Sequence, residues 1–166
     1  MQEKTSEQKQ SLTFSEKRKK LAEKKEREKS KHPVINAITP PQAQLSSLLE
    51  HYQNGRFGDA EKLAISITHE FPRHQFAWKV LGAVLGQTGR KSEAVNANQK
   101  AVELSPQDAE AHSNLGNTLR EQGRLDEAEA SLRQAIALKP GLAEVHYNLG
   151  NTLREQGRLD EAEASL

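Results

Sequence analysis

The sequence repeats itself every 34 residues. Residues 109–132, AEAHSNLGNTLREQGRLDEAEASL, return as residues 143–166 with 22 of 24 positions identical; only Ala111/Val145 and Ser113/Tyr147 differ. The same offset runs back toward the N-terminus at lower identity. Gly55, Gly89, Gly123 and Gly157 are spaced by 34, as are Ala60, Ala94, Ala128 and Ala162, and Pro72, Pro106 and Pro140. A period of this length means that each repeat is one supersecondary unit. Such a unit cannot bury its apolar face alone, so neighbours stack and share a core. From Pro41 to Leu166 the chain holds three whole units (41–74, 75–108, 109–142) and 24 residues of a fourth, 143–166.

Within a unit the punctuation predicts two helices. Ala111, Leu115, Thr118/Leu119 and Gln122 follow a 3.6-residue period. Gly123 then supplies the left-handed residue that ends a helix. Asp126 is the expected N-cap of the next helix, with Glu127 and Glu129 favourable in its first turn. Ser92, Asp160 and Gly58 fall in the same slot. The second helix carries Ala128, Leu132 and Ala135/Ile136 on one face, and Pro140 closes it. No alternating strand pattern of useful length appears, so the chain is expected to be all-α, an α-solenoid of antiparallel helix pairs. Gly82, Gly116 and Gly150 sit inside the first helices, where Gly costs about 1 kcal/mol relative to Ala. Close approach of a neighbouring helix explains them, and Ala94, Ala128 and Ala162, twelve residues on, are the expected partners.

The pattern resembles the tetratricopeptide repeat, a 34-residue unit with W-x2-L-G-x2-Y, then A-x3-F, then A and P. Unit two carries Trp78, Leu81, Gly82, Leu85, Ala94, Ala101 and Pro106 at the corresponding positions. Unit three has His112, Leu115, Gly116, Leu119, Ala128, Leu132, Ala135 and Pro140; unit four has His146, Leu149, Gly150, Leu153, Ala162 and Leu166. Unit one departs at its first helix, with Gln44, Ser47 and Leu48 in the W, L and G slots, and reads as an N-terminal cap. The resemblance implies a right-handed superhelix whose concave face is lined by the first helix of each unit.

On unit three that face carries Glu110, Ser113, Asn114, Asn117, Arg120 and Glu121. On unit four it carries Glu144, Tyr147, Asn148, Asn151, Arg154 and Glu155. Lys79, with Phe76, lines unit two. Asn is a poor helix former, so two per helix is a cost. Its amide offers both the donor and the acceptor that match a peptide backbone. Stacked about 10 Å apart, such rungs would meet roughly every third residue of an extended peptide. The arrangement is similar to the asparagine ladder in the repeat region of O-GlcNAc transferases, whose Asn corresponds here to Asn114 and Asn148. Ser46 and Val80 occupy that slot in units one and two. The carboxylate clamp of some such domains needs Lys at position 5 and Asn at position 9. The pairs here are Leu45/Leu49, Lys79/Ala83, Ser113/Asn117 and Tyr147/Asn151, so that clamp is absent.

The rest of the chain is a charged tail, 1–32, and a Pro-containing linker, 33–40. The tail holds eleven Lys/Arg against six Asp/Glu, while the remainder holds thirteen against seventeen. Leu12, Phe14 and Leu21 are its only large apolar residues besides Met1, too few to offset ordering entropy, so it is expected to be disordered or a single frayed helix. Interspersed Glu and the lack of aromatics among its lysines argue against nucleic acid as a partner. With no cysteine there is no disulfide, thiolate metal site or Cys nucleophile. None of the six His lies in an H-E-x-x-H pattern, and His112 and His146, in the slot of Trp78, are read as packing rather than ligation. No apolar run spans a membrane and no signal peptide opens the chain, so the expected compartment is the cytoplasm.

The expected function is a protein-interaction scaffold that binds an extended peptide or helix of a partner protein, without metal, cofactor or catalysis of its own. The alternative is the targeting region of a larger repeat-fused transferase, resembling O-GlcNAc-transferase-like glycosyltransferases or sulfotransferases. Leu166 falls mid-helix without a capping helix, which reads as a piece of a longer protein.

Overall fold

A computed structural model describes residues 39–165 as eight α-helices, with no strand among them. They are α1 (Gln42–Gln53), α2 (Phe57–Glu70), α3 (Gln75–Gln87), α4 (Lys91–Leu104), α5 (Ala109–Glu121), α6 (Leu125–Leu138), α7 (Ala143–Glu155) and α8 (Leu159–Ala164). The tail 1–32 and most of the linker lie outside the described residues.

Each first helix ends on the predicted glycine. Gly55, Gly89, Gly123 and Gly157 have φ between 68° and 79°, and they are the only positive-φ residues described. The N–H of Gly123 donates to Arg120 O and that of Arg124 to Leu119 O, the paired bonds that satisfy the last carbonyls of a helix. The turn therefore hands the chain straight to Arg124, which is the N-cap of α6. Asp126 is thus not the cap that its spacing suggested. It lies one residue inside the helix, where its charge favours the N-terminal dipole and its carboxylate accepts from Gln156 Nε2 at 2.9 Å. Ser92 likewise lies within α4 and accepts from Gln122 Nε2 at 3.1 Å. The side-chain cap is elsewhere: Asp108 Oδ1 accepts from the N–H groups of Glu110 and Ala111 at the start of α5.

The helix-interior glycines mark close approach, but mainly to a different partner. A Cβ at Gly116 would lie 2.6 Å from Leu132 Cγ and 3.1 Å from the Ala128 carbonyl oxygen. The contact is sixteen residues on, and Ala128 adds its backbone. At Gly82 the same place is filled by the Asn98 side chain. Leu lies down over Gly because its Cγ branch needs the volume that a Cβ would take.

Pairs of helices within a unit, and each second helix with the next first helix, pack throughout. First helices also touch the next first helix, α1 with α3, α3 with α5 and α5 with α7, while among the described residues α2, α4 and α6 make no such contact with one another. The inner side of the stack is therefore built by α1, α3, α5 and α7. Buried apolar residues fall into three clusters rather than one core: around Leu48, Ile67 and Val84; around Val95, Leu115 and Leu119; and around Leu132, Leu149 and Leu153.

Candidate functional site on the inner face

The repeat delivers the same side chains to successive inner helices, and the structure then pairs many of them. Arg120 Nη2 donates to Asn117 Oδ1 at 3.1 Å, and Arg120 Nη1 reaches Glu155 Oε1 of α7 at 2.9 Å. One unit later Arg154 Nη2 donates to Asn151 Oδ1. Each arginine thus occupies the carbonyl side of its asparagine and leaves the amide N–H groups to face outward as donors. Two predicted residues of α5, Asn117 and Arg120, and one of α7, Glu155, form a linked set, while Lys79 belongs to another.

Lys79 Nζ lies 3.0 Å from Asp108 Oδ2 and 2.7 Å from Glu110 Oε2, and Gln75 Nε2 donates to the same Asp108 oxygen at 2.6 Å. It clasps units two and three together rather than facing a ligand. Burial pushes the Asp108 carboxyl up, but hydrogen bonds from Lys79, the Ala111 N–H and Gln75 outweigh it and hold the group below its ordinary value. Burial likewise lowers Lys79, and its two carboxylate partners more than restore it. Asp108 and Gln75 escaped sequence reasoning. The signal for Asp108 was its place just before an apolar-periodic run, where Asp is a favoured cap.

Exposure sorts the other predicted residues. Tyr147, Glu121, Arg154 and Glu155 are exposed, and Ser113, Asn114, Asn117 and Asn151 are half-buried. Asn148 is only 6% exposed. In unit four the rung at position 6 therefore lies deeper than the rung at position 9, whereas Asn114 and Asn117 of unit three are buried alike. The carbonyls of Asn114 and Asn148 accept from Thr118 and Thr152 at 2.8 Å.

His112 and His146 stand in the structural place of Trp78. Trp78 Nε1 donates to Pro72 O at 2.9 Å, and the Nε2 atoms of His112 and His146 lie 2.9 and 2.8 Å from Pro106 O and Pro140 O. A carbonyl can only accept, so each imidazole carries its proton on Nε2. These rings tie the first helix of a unit to the proline that closes the preceding one.

Models of the tetratricopeptide repeat match residues 48–109 and 97–130, and a TPR repeat model matches 116–157, so that together they run from 48 to 157. The chain is a tetratricopeptide repeat protein. Solved structures share its fold. MamA from Desulfovibrio magneticus RS-1 is 21% identical with a TM-score of 0.71 over 76% of this chain and 71% of that one. YrrB, a TPR protein with an unusual peptide-binding site, is 24% identical with a TM-score of 0.68 over 74% of this chain and 63% of that one. The Thermobaculum terrenum O-GlcNAc transferase is 26% identical with a TM-score of 0.62; the match spans 69% of this chain but 23% of the transferase. A comparison with curated proteins returned no match. TPR proteins bind protein or peptide partners, and this chain is an interaction scaffold of that kind. Among the described residues no helix is long and apolar enough to cross a membrane.

Proposed function

We infer that the inner face holds an extended segment of a partner protein, gripped chiefly through its main chain. The observation that carries this reading is one arrangement present twice, Asn117 with Arg120 and Asn151 with Arg154, on neighbouring inner helices. Each pair presents amide donors to incoming carbonyls at a spacing set by helix packing. Tyr147, 57% exposed beside Asn148 and Asn151, adds a flat surface for an aliphatic or aromatic side chain. The test is Asn117→Ala combined with Asn151→Ala, measured against a peptide selected from a display library. Binding should weaken about tenfold, a loss of about 1.4 kcal/mol, with the far-UV circular dichroism unchanged. Unchanged affinity in a variant of full helicity would sink the reading.

The likeness to the O-GlcNAc transferase favours one further reading, that the array is the targeting region of a repeat-fused transferase. Transfer of a sugar or sulfate group by the full-length gene product would support it, and an inactive gene product would remove it.

A further inference from the structure

The junction between units two and three differs from the junction between units three and four. At the first, the Lys79 ammonium lies between Glu110 and Asp108. One period later those three places hold Ser113, Glu144 and Leu142. The carboxylate at the start of the inner helix is retained, and the lysine that answers it is replaced by a side chain too short to reach. Glu144 is exposed and forms no ion pair among the described residues.

Glu144 also borders a cleft of about 290 Å³ lined in addition by Gly82, Asn98, Asn114, Asn117 and Glu121, with no Lys or Arg among the described residues of its walls. Asn98 is 1% exposed. Its Nδ2 donates to Thr118 Oγ1 at 3.0 Å, and the Thr118 proton is already committed to Asn114 O, so the hydroxyl can only accept and the amide is fixed in this orientation. Asn98 Oδ1 is left against Gly82 with no donor among the described residues. A buried acceptor without a partner is costly, and the same slot in unit three is filled by Leu132 at no such cost.

We propose that this cleft takes an Arg- or Lys-bearing segment of a partner, its cationic head on Glu144 in the place that Lys79 fills one unit earlier. The proposal rests on the inner-face reading above and adds the charge class of the ligand. The segment's main chain lies on the amides of Asn114 and Asn117. Glu121 adds a second negative charge to the cleft, so an acidic segment meets two carboxylates and, among the described residues of its walls, no cation.

The test uses the full chain, titrated in ¹⁵N-resolved NMR with acetylated, amidated nonapeptides that differ only at the central residue: Arg, Ala or Glu. The Arg peptide should shift the Ser113, Asn117 and Glu144 resonances and bind at least about tenfold more tightly than the Glu peptide. Glu144→Gln should remove most of that preference, leaving only the part owed to Glu121, and leave the Ala peptide unaffected. Ser113→Lys should fill the place from within and abolish the Arg advantage; if this variant fails to fold, Glu144→Gln still decides. Equal binding of Arg and Glu peptides, with shifts at Asn117 and Asn151, would overturn the charge preference alone. No shift of inner-face resonances with any peptide would overturn both this proposal and the reading it rests on.

Discussion

At the scale of the residue, the glycines inside the first helices carry the packing. Ala is the better helix former by about 1 kcal/mol, yet the place of its Cβ at residue 116 is already held by Leu132 and the Ala128 carbonyl. Leu132 is fully buried and has nowhere to retreat. Gly116→Ala should therefore destabilise the protein by about 1–3 kcal/mol in urea denaturation, against the direction of helix propensity. A neutral or stabilising result would mean that α5 and α6 can slide apart. The sequence announces that something approaches each of these glycines. It does not announce what, because Ala128 and Leu132 lie on the same stripe of α6 and only their side-chain lengths at the crossing separate them.

At the scale of the element, α5 begins on a cap that is also an ionic clasp. Asp108 caps two N–H groups through one oxygen and holds Lys79 and Gln75 of α3 through the other. Asp108→Asn keeps the cap, since Asn is as good there, and discards the ion pair. The expected cost at pH 7 is about 1 kcal/mol. The folded carboxyl lies below its ordinary value, so its stabilisation is present above the unfolded pKa of about 3.9 and is lost as pH falls through the lower folded value. The gap between wild type and variant should close below about pH 4 in pH-dependent thermal melts; a constant gap would show that the charge is not what Asn replaces. His74 and Leu142 stand at the equivalent position of the other junctions. Repetition therefore hides this clasp, which among the described residues exists at one junction.

At the scale of the whole molecule, the apolar clusters do not merge, and Asn98 stands where α3, α4 and α5 meet. In a stack whose stability is a sum of unit and neighbour terms, a polar residue at a junction lowers the coupling between its two sides. Asn98→Leu, which copies Leu132, should stabilise the array by about 1 kcal/mol and steepen its unfolding transition, because a buried orphan acceptor leaves and two clusters join. Thr118 keeps its own acceptor at Asn114, so nothing new is stranded. Hydrogen exchange would show the gain on both sides of α4; protection confined to α4 would contradict a coupling role.

The sequence by itself determined the period, the helix pairs, the glycine that ends each first helix and the family to which the chain belongs. All of these follow from backbone preferences and apolar spacing within a few residues. What only the tertiary structure decided are relations between residues about one unit apart: Lys79 with Asp108 and Glu110, Arg120 with Glu155, Arg158 with Glu129, and Glu144 with no counterpart among the described residues. The same holds for the depth of Asn148 below Asn151. A one-residue change between repeats, Lys79 to Ser113, leaves helix spacing and apolar pattern intact, so no local signal records it. Its consequence appears when stacking brings position 5 of one unit beside position 2 of the next, within the few ångströms over which charges pair.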